Sequence, residues 1–134
     1  MKMRFAAATA ALIAMSTPTI SNAGDALKYE DFVHCAATNL VIAVVLSLDG
    51  GDVKNKDSIE TYKKQALALE AVPVLGMKKD AEVVQADVSA DTTLIIGNMS
   101  DKAKNQTFLD NDVPRCMKLG KAAFEAVEEA KQRK

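Results

Sequence analysis

The chain has no Trp, one His, two Cys and three Pro, and its formal net charge at neutral pH is only −1. Each scarcity excludes something. One His and two Cys cannot assemble the usual four-ligand Cys/His sets of a structural zinc. A charge near zero gives no basic footprint for a phosphate backbone, so nucleic acid is not an expected partner. There is no C-x-x-C, so thiol exchange of the thioredoxin kind lacks its second sulfur, and no C-x-x-C-H to attach a haem covalently. Without Trp, the sugar-stacking surface that glycosidase carboxylates work beside is missing. Hydrophobic residues still make up 49% of the 134, which argues against disorder and is ample for one globular domain.

The residues that are present begin with an address. Met1-Lys2-Met3-Arg4 is basic, Phe5 to Met15 is apolar or small apart from Thr9, and Ser21-Asn22-Ala23 places small residues at −3 and −1 of a cleavage point. This is the three-part layout of a secretory signal peptide over residues 1–23, cleaved near Ala23. The apolar run rises only about 16 Å as a helix, roughly half the hydrocarbon thickness, so no stable membrane span is expected after the leader is removed. The remainder, 24–134, is expected to be a single helical domain in the periplasm or secreted. It keeps Cys35 and Cys116, and an exported chain with two cysteines is expected to join them. In the loop-entropy model such a bridge restricts the unfolded chain by about 4–5 kcal/mol.

Ala, Leu, Lys and Glu dominate the mature chain, and apolar residues recur at three- and four-residue steps, the signature of helices. The first is expected from Tyr29 to Leu48, with Phe32, Cys35, Ala36 and Leu40 on one side. The apolar stretch from Leu40 should be covered on nearly all sides, before Asp49-Gly50-Gly51-Asp52 stops the helix. A second starts near Asp57, which with Glu60 has capping-box spacing, and carries Ile59, Tyr62, Ala66, Leu69 and Val72 inward. Pro73 should end or kink it, leaving Val74 to Met77 as a separate turn. A third covers Asp80 to Met99, with Val83, Val84, Val88, Leu94, Ile95 and Met99 as core candidates. Ser100 to Asn111 is polar and reads as loop, with one helical turn around Phe108. The last helix has Asp112 as N-cap, Pro114 in its first turn, and Val113, Cys116, Met117, Gly120, Phe124 and Val127 inward. Lys121–Glu125 and Glu129–Arg133 mark its solvated side.

The expected fold is therefore all-α, a small four- or five-helix bundle whose first and last helices are joined by Cys35–Cys116. With each cysteine near the start of its helix, a simple up-down-up-down bundle would hold them roughly 20–30 Å apart, against the 7 Å or so a disulfide allows. A reversal at Pro73, making the first and last helices parallel, would remove that conflict.

Four places in the chain invite a chemical reading. His34 adjoins Cys35 and Met117 adjoins Cys116, so a bridge would bring together the ligand pair of a non-covalent haem; a helix flank is the more ordinary role for this His. Cys116, beside Arg115 near a helix start, could serve as a nucleophile with His34 as base, but the bridge itself would consume the thiol. Asp49 and Glu60 have the frame of a calcium loop, yet Gly51, Val53 and Lys54 occupy the positions that need two oxygen ligands and a glycine. Glu30, Asp31, Glu82, Asp87 and Asp91 form no distinguishing pair. No catalytic residue, metal ligand or cofactor site is assigned. The Asn98-Met99-Ser100 and Asn105-Gln106-Thr107 sequons matter only in a eukaryotic secretory pathway.

A leader, a helical body and two widely spaced cysteines resemble the layout of small periplasmic acid-stress chaperones and of immunity proteins that block peptidoglycan-degrading toxins. The resemblance is of layout, and no residue is carried over from it. The expected function is non-catalytic protein binding, of inhibitor, immunity or stress-chaperone type, with another exported protein or a second copy of the chain as partner. Met77, Met99, Val113 and Met117 are the candidate contact residues. The alternatives are a carrier of a small apolar ligand, held against Val41–Val45, and an enzyme or redox protein using Cys116 with His34.

Overall fold

The computed structural model describes residues 27–48 and 54–133. The leader with its cleavage point, and the Asp49-Gly50-Gly51-Asp52 stop with Val53, lie outside the described residues. Helix α1 spans Tyr29–Leu48, α2 Lys56–Gly76 and α3 Ala81–Asn98; the short α4 (Lys102–Thr107), a π-helical segment (Phe108–Asp112) and α5 (Val113–Gln132) follow one another without a break. The bundle thus has four helical runs, with no strand among the described residues. Cys35 and Cys116 form a disulfide with their Cα atoms 4.7 Å apart, tying the first run to the last. The oxidising compartment in which such bonds persist agrees with export.

Helix α1 packs against α2, α3 and α5 and carries the middle of the core. Phe32, Cys35, Ala36, Ala37 and Val41 are buried together with Leu69 and Val72 of α2, Val84 and Val88 of α3, and Leu119 and Ala123 of α5. Two polar side chains, Thr38 and Asn39, are also fully buried. Asn39 Nδ2 donates to the carbonyls of Cys35 (2.8 Å) and Cys116 (3.2 Å), so it stitches α1 to α5 beside the disulfide. By length and composition α1 is the one described helix able to cross a membrane. Its covalent tie to α5 and its packing on three sides make it the core helix of a bundle.

Four expectations need correction. The C-terminal half of α1 is not covered all round: Val44 and Val45 are exposed, and Leu48 is 81% exposed. The α2 start has no capping box; Asn55 occupies the cap without a side-chain bond to the helix, and donates instead to the Leu46 carbonyl at 2.8 Å. Pro73 neither ends α2 nor reverses the chain. It lies buried in the last turn, where only one helical bond is forgone. Its carbonyl accepts from Met77 N and Lys79 N, and Lys78 turns the chain at φ 57°.

The fourth correction removes the cysteine conflict. Residues 102–112 are helical, and their start is marked by Asp101, whose side chain accepts from Lys104 N at 3.1 Å. Cys116 therefore lies deep inside a long helical run, about 20 Å of rise beyond Lys102, and not at a helix start. The premise that the two cysteines begin their helices holds for Cys35 alone, so no reversal at Pro73 is required.

Candidate functional site

Helix α3 starts as its sequence indicates, with the Asp80 side chain accepting from Glu82 N at 2.8 Å. Val84, Val88 and Ile95 point into the core and are buried. Val83 and Leu94, also expected in the core, point the other way: they are 51% and 60% exposed, and Ile96 is 47% exposed. Val83, Ala86, Ala90, Leu94 and Gly97 follow one another at steps of three and four, and all five are exposed. They make an outward stripe of apolar and small residues along the whole helix. Fully covering a side chain of valine or leucine size is worth about 1.5–3 kcal/mol. This fold gains only about half of that at Val83 and Leu94.

Gly97 belongs to that stripe, and a Cβ added there would meet nothing within 4 Å. The contrast is with Gly120 of α5, where an added Cβ would come within 3.0 Å of Gln65 Oε1 and 3.1 Å of Asn39 Nδ2. The bundle's own packing explains the glycine of α5, whereas that of α3 stands last but one in its helix, where glycine is ordinary.

Beside the stripe, His34 joins three elements. Its Nδ1 is 2.7 Å from Asp91 Oδ2 of α3, and its Nε2 is 3.3 Å from Asp112 Oδ2 in the π segment. The Nδ1 contact with Asp91 has hydrogen-bond geometry, whereas Nε2 and Asp112 are at ion-pair distance only. Asp112 was expected to cap α5; because the helix is continuous there, it makes no side-chain cap bond and its carboxylate faces His34 instead. A half-open cavity of about 100 Å³ adjoins this node, lined among others by Leu94, Asn98, Lys104 and Phe108. Since about 150 Å³ is enough for benzene, this space suits the tip of one side chain.

Cys116 is oxidised, so it offers no thiolate to His34. The two carboxylates approach opposite ring nitrogens and share no point at which an ion could meet them. No cluster of three or more His, Cys, Asp or Glu suited to a metal occurs among the described residues. The proposed haem ligands have other partners too: Met117 Sδ is 3.9 Å from Tyr62 Oη, beside an open groove of about 430 Å³ between α2 and α5. Neither this groove nor the cavity is lined by Val41–Val45.

Of the contact candidates, Met77, Met99 and Val113 pack against the core and only Met117 is exposed. Exposed large apolar residues occur on several elements, with Val44, Val45 and Leu48 on α1, Leu67 and Leu75 on α2 and Leu109 in the π segment, and α3 carries Val83, Leu94 and Ile96. The α3 signal was present in the sequence as two apolar stripes on one helix, of which a single neighbouring layer can cover only one. No family model, no curated protein and no solved structure matches the chain.

Proposed function

We propose that the chain is an exported, non-catalytic protein-binding module whose docking face is the outward stripe of α3. The observation that carries this reading is an apolar and small-residue face running the length of a surface helix, left exposed by the described residues and bordered near Leu94 by Lys104 and Phe108. Faces of this kind mark interaction sites more often than scattered exposed residues do. The partner is another exported protein, as for an inhibitor, immunity protein or stress chaperone, and the signal-peptide layout places the encounter in the periplasm or outside the cell after cleavage near Ala23. A carrier of a small apolar ligand is less well supported, because neither cavity adjoins Val41–Val45.

A photo-crosslinking side chain placed at Ala90, and separately at Lys131 on α5, tests the reading in the native host. A discrete adduct from position 90 and none from 131, abolished by Leu94→Arg, is the expected result. Equal labelling from both positions, or none from either, would sink it.

A further inference from the structure

Resting on that reading, we propose that the α3 face receives a cationic amphipathic helix of a partner protein, one that carries small or apolar residues along its contact ridge and Lys or Arg on both sides of it. Three observations lead there. The first is charge: from residue 80 to 99 the chain has Asp80, Glu82, Asp87 and Asp91 and not one Lys or Arg. By helical position Glu82 and Asp87 stand on opposite sides of the stripe, so an incoming helix meets a carboxylate along each edge. Asp87 also accepts from Tyr29 Oη at 2.6 Å, and the nearest cation at that end, Lys79, sits over the Tyr29 ring at 4.6 Å. Neither contact puts a positive group on the stripe at that end; at the other end Lys104 lines the cavity beside Leu94.

The second is shape. Ala86 and Ala90 leave a shallow track between the larger Val83 and Leu94, and beyond Leu94 Gly97 has open space where its Cβ would be. A glycine inside a helix is disfavoured relative to alanine unless something must come close. Gly97 stands last but one in α3, where a helix end tolerates glycine, and it leaves that end of the face open to close approach. Close approach of a second helix axis is what small residues at such spacing permit. The third is the cavity beside Leu94, which has room for one side-chain tip projecting from a helix laid along the track.

A second copy of the chain fits less well. Two α3 helices face to face bring the carboxylates of both copies together, with Lys104 beside Leu94 as a cation at one end only. A contact between α3 of one copy and the lysine-bearing side of α5 in another, with Lys118 and Lys121, closes only if it is reciprocated across a two-fold axis or completes a ring, and otherwise propagates.

The test uses protein purified from its exported fraction and two designed helical peptides. Both share one Ala/Leu ridge; one is flanked by Arg and the other by Glu. The Arg peptide should bind roughly tenfold or more tightly at low salt and lose that advantage as salt rises. It should move the amide signals of residues 83–97, and Glu82→Lys should shrink the difference several-fold. Gly97→Leu should abolish binding of both peptides while leaving the unfolding midpoint unlowered. Equal binding of the two peptides on α3 would overturn the cationic class and keep the docking face. No binding of either, with the Ala90 crosslink still formed, would overturn the helical partner and keep the reading of function. Loss of both signals would overturn both. Concentration-dependent self-association abolished by Leu94→Arg would assign the face to a second copy and overturn the proposal.

Discussion

Helices α3 and α5 are of nearly equal length and both lie on the outside of the bundle, but they divide their residues in opposite ways. In α5 the buried Cys116, Leu119, Gly120, Ala123 and Ala126 form one face, and the other carries Lys118, Lys121, Glu125, Glu129 and Arg133 into water. Its polar face even holds an Arg133–Glu129 pair at 2.5 Å, an ordinary surface contact of small energetic consequence. In α3 the inward residues are three well-spaced apolar side chains and the outward ones are apolar or small as well. A helix that has finished its contacts looks like α5. A helix apolar on two sides with only one side covered is the feature on which the proposed docking face rests.

The largest expected effect separates the two helices by what ties them down. Only α5 is bonded covalently to α1, across a sequence separation of 81 residues. Replacing Cys35 and Cys116 together by Ala should lower stability by about 4–5 kcal/mol in the loop-entropy model, most of the margin of a small domain. Urea unfolding of the double variant reads this directly. An unchanged midpoint would mean that the amphipathic face of α5 alone holds it in place.

The two glycines provide the next test, because the same substitution should act with opposite signs. Gly120→Ala forces Gln65 and Asn39 apart, the latter while it holds the Cys35 and Cys116 carbonyls, and should cost about 1–3 kcal/mol. Gly97→Ala meets open space and should stabilise the isolated chain by up to about 0.5–1 kcal/mol. Thermal midpoints moving in the same direction for both would remove the distinction between a glycine that serves this fold and one that the fold leaves open.

These contrasts also show how much could be read before the structure. Helix α1 was legible at both ends, since a sustained apolar run met an unmistakable glycine stop. The inward side of α5 was legible in outline because its charges are segregated. The sequence misleads where one residue type has two uses. Val83 and Leu94 carry the same apolar signal as Val84 and Ile95, and periodicity does not say which stripe the neighbours will cover. Polar residues 102–107 resemble a loop, though the Asp101 cap was written among them. Asp112 looks like a cap until the preceding segment proves helical, after which its carboxylate is free to meet His34. The His34 node depends on side chains from residues 34, 91 and 112, and only the packed bundle brings them together.

The smallest effect concerns how α3 is fastened to α1, and it is silent at neutral pH. Burial, the hydrogen bond to Asp87, and the charges of Asp87 and Glu30 push the Tyr29 phenol up to about 12, against an ordinary value near 10. Between these values the unfolded chain has released a proton that the folded chain still holds. Stability contributed by the neutral phenol is therefore whole below about pH 10 and falls as pH rises through that interval. Tyr29→Phe, which has nothing to ionise and loses one exposed hydrogen bond, should lie close to the parent at pH 7. It should then fall less steeply than the parent from pH 10 upward, with deprotonation of the lysines common to both. Parallel stability curves for the two chains would show that the Tyr29–Asp87 contact does not hold α3. Its attachment would then reside in the buried Val84, Val88 and Ile95, leaving the outer face free to be gripped without disturbing a polar latch.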